Sequence, residues 1–268
     1  MLSERHTHIQ TNNKNKTTME KKYEMIIDDS ATADYGGARH KLYRIKALRD
    51  FGAVKRGDIG GYIEKEDNLS HSGTCWVYGD ARVCGNARVT HDSSVGGEAR
   101  VMDNATIRDS ASVMNDTEVR GNATVCDFAC VYGGATINGD AIIRDYACVY
   151  GNAIVGELAI IENFACVSGH AVVLGDALVK EMTSVYGEAQ IRGNAIIDDD
   201  SDYIVFKNWW SSGRYFTWTR SNNMWAVGCF YGTGEELIEK AYQDSERSGR
   251  EYERVVKYIE EILKDESI

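Results

Sequence analysis

From Val77 onward, apolar and polar positions recur every six residues without an insertion. The first position of 21 successive hexads, Val77 through Ile197, is always Val or Ile. The fifth is Ala in 17 of them and Ser or Thr in the other four: Ser93, Thr117, Thr183 and Ser201. Positions 5 and 1 are two residues apart, so in an extended run they point the same way. A β-branched side chain and a small one then fill a narrow interior, and positions 6 and 2 face outward. Positions 3 and 4 are often Gly-Asp, Gly-Asn, Asp-Asn or Gly-Glu, and Gly and Asn tolerate the left-handed backbone of a tight corner. Each hexad is therefore one short strand and one corner. Three looser hexads, opening at Ile59, Lys65 and His71, precede the regular ones.

A second period counts the sides. Cys130, Cys148 and Cys166 recur every 18 residues, as do Phe128, Tyr146 and Phe164, followed by Met182; Tyr132 and Tyr150 do the same, with Tyr186 two periods on. Three hexads make one coil, and equivalent residues stack. This predicts a mainly β fold, a three-sided parallel β-helix of about eight 18-residue coils over residues 59–202, roughly 38 Å tall. Both ends of such a stack expose strand edges that need covering. Residues 23–58 are expected to form the N-terminal cap, with a strand at Lys41–Leu48 and turns at Asp50–Asp58. Residues 203–268 are expected to form a small α+β domain. Its three strands are Tyr203–Trp210, Arg214–Thr219 and Met224–Phe230. Two helices follow, opened by capping boxes at Thr233/Glu236 and Ser248/Glu251. The last helix carries Tyr252, Val255, Val256, Ile259, Ile262 and Leu263 on one face. Residues 1–22 read as a disordered extension, polar and lacking the apolar stretch of a secretory signal.

The three-sided hexapeptide pattern resembles the left-handed parallel β-helix of the hexapeptide acyltransferases. The left hand is implied by that resemblance, since general rules favour right-handed crossovers. A closer likeness covers residues 41–88. Lys41-Leu42-Tyr43-Arg44-Ile45, Asp50-Phe51-Gly52-Ala53-Val54-Lys55-Arg56-Gly57-Asp58-Ile59-Gly60-Gly61-Tyr62-Ile63, Asn68-Leu69-Ser70 and Gly73-Thr74-Cys75-Trp76-Val77-Tyr78 are similar to the opening of the YdcK-like β-helix proteins. That resemblance implies the fold and no established reaction. Related repeat proteins occur in phages and mobile elements. The C-terminal region is outside the resemblance.

Composition narrows the function classes. The net charge of −11 is uneven. Residues 59–202 carry nine basic and 22 acidic side chains, which makes the helix an acidic rod and a poor match for a phosphate backbone. Nucleic acid is therefore not an expected partner. The chain has no apolar run long enough for a membrane span. Seven cysteines without a CxxC pair, an odd number, argue against a disulfide framework or zinc knuckle and fit a reducing cytoplasm. Proline is absent, as suits a backbone that is mostly hydrogen-bonded ladder.

Candidate chemistry is sparse. An acyltransferase of this fold resembles a trimer with a catalytic His and an acyl-carrier thioester in the cleft between subunits. His91 and His170 sit at corner positions and are the weak catalytic candidates, with no orienting carboxylate identified; their plainer reading is ordinary corner residues. The outward Cys130/Cys148/Cys166 column is better read as stacking than as a metal site, and the Phe128/Tyr146/Phe164/Met182 ladder as packing along one edge. No metal or cofactor is expected. In the C-terminal domain, Trp209, Trp210, Arg214, Tyr215, Trp218, Arg220 and Trp225 form a candidate partner-binding surface, since Trp, Tyr and Arg dominate interface hot spots; the plainer reading makes half of these aromatics the domain's core. The outward columns Ile142/Ile160/Leu178/Ile196 and Ile154/Val172 replace Arg88/Thr106/Thr124 and Arg82/Arg100/Glu118 of the early coils. They are expected to be buried by the C-terminal helices, by a second subunit, or by both. The leading expectation is a non-catalytic interaction protein and homo-oligomer, dimer or trimer. One form of it is a phage- or mobile-element-encoded inhibitor that binds a host protein. The alternatives are an acyltransferase using an acyl-coenzyme A donor and a polymer-forming structural protein.

Overall fold

The computed structural model describes residues 20–35 and 37–265. Most of the expected extension 1–22 therefore lies outside the described residues. The described residues open with a long antiparallel hairpin, β1 (Tyr23–Tyr35) and β2 (Ala38–Ala47), and β2 pairs antiparallel with β3 (Ile59–Ile63). From there the backbone winds through 21 two-residue parallel strands, β4 (Trp76–Val77) to β24 (Ile196–Ile197). These stack into three sheets that form the three sides of a β-solenoid. Register is in steps of 18: Ser112 pairs with Cys130, Cys130 with Cys148 and Cys148 with Cys166.

The expected interior is realised position by position. The Val or Ile and the Ala of the hexads are fully buried from Val77 to Ile197. Ser93, Thr117 and Thr183, which stand where Ala is usual, are buried too, and each hydroxyl donates to the carbonyl three residues back in its own corner. That bond removes the cost of an unpaired polar group inside the prism. At the corners, position 3 takes positive φ whether it is Gly, as at Gly133 and Gly151, or Asp, as at Asp109, Asp127 and Asp145.

The three sides differ in what they present. We call them by their outward residues. The arginine face carries Tyr62, Arg82, Arg100, Glu118, Thr136, Ile154, Val172 and Gln190. The isoleucine face carries Arg88, Thr106, Thr124, Ile142, Ile160, Leu178 and Ile196. The cysteine face carries Trp76, Ser94, Ser112, Cys130, Cys148, Cys166 and Ser184.

Both ends of the stack are closed by hydrogen bonds. At the N-terminal end, β2 covers β3, and Asn68 reaches up to the carbonyls of Gly85 and Ala87. Lys22 is buried there, its Nζ donating to the Cys75 carbonyl at 2.8 Å and lying over the Phe51 ring. At the C-terminal end the last coil has upward-pointing amides and no coil above. Three side chains supply the missing acceptors, one per face. Ser184 N donates to Asp200 Oδ1, Gln190 N to Thr217 Oγ1 and Ile196 N to Ser221 Oγ, at 2.7–2.9 Å.

These acceptors belong to a terminal sheet of four strands, β25 (Tyr203–Lys207), β26 (Tyr215–Thr219), β27 (Met224–Val227) and β28 (Phe230–Gly232), or to the turns around it. The sequence reading had three strands. The third breaks at the Gly228 turn, where φ is positive, and returns as β28. The sheet is buried on both sides. Tyr203 and Val205 face the coil interior, while Ile204, Phe206, Phe216 and Trp218 face the helices. Two helices, α1 (Gly234–Asp244) and α2 (Glu246–Asp265), complete the fold. The Thr233/Glu236 capping box forms as expected. The second expected box does not: Ser248 lies inside α2, and its amide donates to the Ser245 hydroxyl. No helix among the described residues is long and apolar enough to cross a membrane.

Replacing Thr217 with Val keeps shape and removes one cap. The Gln190 amide then loses its acceptor, and unfolding free energy should fall by about 1–3 kcal/mol, read from urea denaturation midpoints. An unchanged midpoint would show that water satisfies this amide and that the cap contributes nothing.

Candidate functional site

Of the five terminal-domain aromatics in the candidate contact surface, three are core, in line with the plainer reading. Trp210, Trp218 and Trp225 are buried with Phe216, Tyr252, Val256 and Ile259. The Trp210 ring meets Tyr252 edge-on at 5.1 Å, and Asn208 donates to the Tyr252 hydroxyl. Trp218 Nε1 donates to Asn223. Their role is to join the sheet to the helices. Arg220 is half-buried, over the Trp218 ring and facing Asp202. What remains on the surface is Trp209, 69% exposed, with Arg214 and Tyr215, the last partly covered by Lys207.

The helix stripe also goes elsewhere than one expectation had it. Val255, Val256, Ile259, Ile262 and Leu263 pack on the terminal sheet, so the C-terminal helices do not cover the aliphatic columns. Ile142, Ile160, Val172 and Leu178 stay half-exposed, and Ile154 and Ile196 are exposed. The helices pack where large apolar surface lies closest in the chain, the inner face of β25–β27.

An extended uncharged surface lies on the cysteine face. Its outward column runs Cys130, Cys148, Cys166, Ser184. One flanking ridge is Phe128, Tyr146, Phe164, Met182, and the other is Tyr132, Tyr150, Ser168, Tyr186. Phe128, Tyr146 and Phe164 are each more than half exposed, and Met182 is 83% exposed. The rings stack at 5.0 and 5.1 Å with planes within 6° of parallel, and Tyr132 stacks on Tyr150 at 5.0 Å. Because each ring covers its neighbour, ring faces are consumed inside the ladder. Edges and Tyr hydroxyls point outward. A sugar or nucleobase, which needs a free ring face to stack on, finds both faces of the central Tyr146 ring taken by Phe128 and Phe164. A protein surface needs only apolar area and a few hydrogen-bonding groups.

The central thiol of this face, Cys148, is held neutral. Burial, reinforced by Cys166 and Cys130 on either side, pushes the Cys148 thiol up to about 11. At the neighbouring corner, Asp109, Cys126 and Asp127 bring three potential metal ligands within 4.8 Å of one another. Burial and then the hydrogen bond to Asp127 push the Cys126 thiol up to about 12, and Arg108 is paired with Asp109. The proton and the arginine already occupy the groups an ion would need.

The two histidines do not come together. His91 and His170 stand on different corners, several coils apart. His91 Nδ1 lies 3.0 Å from Thr90 Oγ1 and 3.9 Å from Asp109 Oδ1, so a carboxylate faces it beyond hydrogen-bond length. His170 is exposed; its amide donates to the Gly187 carbonyl, and its ring has no hydrogen-bond partner among the described residues.

Against this geometry the comparisons are informative about the repeat. Residues 81–97 match the family model described as the YdcK beta solenoid repeat. The chain is YdcK-like in its repeat. A protein of Escherichia coli (strain K12) named "Uncharacterized acetyltransferase YdcK" is 39% identical over 59 residues. That stretch is 19% of this chain and 18% of the relative, so the chain matches less than a fifth of the YdcK protein's length. The resemblance read from the N-terminal residues is supported. The terminal sheet, its helices and the Cys130–Ser184 part of the cysteine face lie beyond the matched repeat segment.

The state of the thiols is open to measurement. Cys148 at pH 8 should be thiolate only on the order of one part in a thousand. Iodoacetamide followed by peptide mass mapping should label exposed Cys229 well before Cys148. Equal rates would mean that the column is not shielded as described.

Proposed function

We propose that this protein is a non-catalytic binding scaffold whose cysteine face is its contact surface and whose first occupant is a second copy of the chain. One observation carries the reading. Four successive coils, from Phe128 to Tyr186, present twelve uncharged side chains in register on a chain of net charge −11. Two acidic rods repel almost everywhere; they approach at least cost where neither carries charge. A ladder repeating at about 4.8 Å is also complementary to another of the same pitch. The half-exposed Ile142/Ile160/Leu178 column lies one corner away and extends the apolar area toward that of a stable interface. Trp209, Arg214 and Tyr215 stand on the terminal domain, where they suit a different protein partner. An inhibitor that occludes a host protein is one form such a scaffold takes.

Replacing both Tyr146 and Phe164 with Glu tests the reading. Light scattering should give wild type a mass of at least two chains and the double variant the mass of one, with circular dichroism unchanged. A wild-type monomer, or a variant with wild-type mass, would remove the cysteine face from consideration.

An acetyltransferase is the second reading. It draws on the printed name of the relative and on His91, which lies in the matched segment with a carboxylate 3.9 Å from its Nδ1. Thiol release from acetyl-coenzyme A with an amine or sugar acceptor should then be lost in His91→Ala. No release by wild type above the buffer rate would sink it.

A further inference from the structure

The N-terminal hairpin does more than cap the stack. It is longer than β3, with which it forms a sheet, and the far end of β1 leans over the arginine face. Between them lies a cleft of about 510 Å³, lined on one side by Thr32, Ala33 and Asp34 and on the other by Arg82, Arg100 and Arg120, among others. That volume is in the range of small-molecule sites.

The charges on its floor are unusual for an acidic rod. Arg82 and Arg100 occupy directly opposed positions on adjacent parallel strands, about 4.8 Å apart. Like charges facing each other across strands are destabilising. The arginines around them are neutralised. Arg44 pairs with Asp29 and Asp80, Arg120 with Glu118, and Arg39 with Asp34. Neither Arg82 nor Arg100 is paired with a carboxylate among the described residues. Asp103, which also lines the cleft, spends Oδ2 on the Gly121 amide at 3.0 Å and leaves its other oxygen free.

We infer that this cleft binds a small phosphomonoester with a hydroxylated body, its phosphoryl group on Arg82 and Arg100 and its hydroxyls toward Asp103 and Glu118. A phosphomonoester carries close to two negative charges at neutral pH, which suits two guanidinium groups that have no direct ion-pair partner among the described residues, although Glu118 stands opposite Arg100 on the next strand and Asp103 lines the same cleft. Its three peripheral oxygens accept the forked donors of both arginines at once, which a single carboxylate cannot do for two stacked planes. The carboxylates lining the cleft accept hydrogen bonds from the hydroxyls of a polyol, contacts that free phosphate does not make, so the ester is preferred over free phosphate. Met102 and Cys84 supply the apolar wall against which a carbon skeleton rests. The proposal is independent of the cysteine face, which lies on another side of the prism.

Titration calorimetry and thermal melting on the full chain test this, with glycerol 3-phosphate, glucose 6-phosphate, inorganic phosphate and glucose as probes. At least one ester should bind more tightly than inorganic phosphate and raise the melting temperature; glucose should do neither. Arg82→Ala and Arg100→Ala should each weaken the ester by about tenfold or more, while Arg88→Ala, on the isoleucine face, should bind as wild type does. In phosphate-free buffer, Arg82→Ala should melt no lower than wild type, because it relieves a like-charge contact, and should lose the ester-induced rise. A purely structural arginine would give the opposite, a lower melting temperature and a retained rise. Absence of heat and of any melting shift with both esters at about 10 mM would overturn the proposal. So would unchanged affinity in both variants, or inorganic phosphate binding as tightly as either ester.

Discussion

Everything outside the prism depends on one constraint inside it, the hydrogen-bonded stacking of one coil on the next in steps of 18 residues. A strand of two residues has no stability of its own. Each acquires it from the strand below and the strand above, and pairs with them in strict register because Val or Ile must meet its equivalent in the interior. Once that register is set, every outward side chain stands directly over the one 18 residues earlier. Like residues therefore accumulate into columns. Stacked rings, a thiol row, an asparagine ladder from Asn86 through Asn104 to Asn122, and an opposed arginine pair are all consequences of the same geometry.

The same ladder creates its own liability at the ends, where amides and carbonyls run out of partners. The solutions are local and chemically distinct. The N-terminal end is met by more strand, β2 and β1, and by side chains such as Asn68. The C-terminal end is met by three side-chain acceptors: Asp200 from the last hexad, and Thr217 and Ser221 from the terminal sheet and its turn. The terminal sheet then needs a cover for its second side, and α1 and α2 provide it. The helices are thus committed to the sheet, which leaves the aliphatic columns of the late coils uncovered by the described residues. A structural obligation at the end of the stack decides what stays exposed along its sides.

This dependence also separates the surfaces chemically. The early coils carry arginines and lie under the hairpin arm, whereas the late coils carry the uncharged aromatic and thiol columns. A ligand-binding end and a protein-binding end on one rigid rod would be held at fixed separation, since there is no insertion in the coils between them.

The sequence alone determined the period, the three sides, the inward and outward positions, the columns and the first helix cap. All of these follow from spacing within a few residues or from an 18-residue repeat, and stacking leaves them no alternative. The opposed Arg82 and Arg100 were equally legible as a column, though nothing in the spacing showed that an arm would close over them. Tertiary structure alone decided which aromatics are surface. Trp210, Trp218 and Trp225 look like a recognition set by type, yet the sheet must bury one face against the helices and takes the largest rings to do it. Phe128, Tyr146 and Phe164 stack along one edge as their regularity indicates, and the structure adds that they stay more than half exposed there, because the interior is already filled by Val, Ile and Ala. The terminal sheet and the hairpin have no repeat, so where they fold back is set by contacts between residues far apart in the chain, which local spacing does not encode.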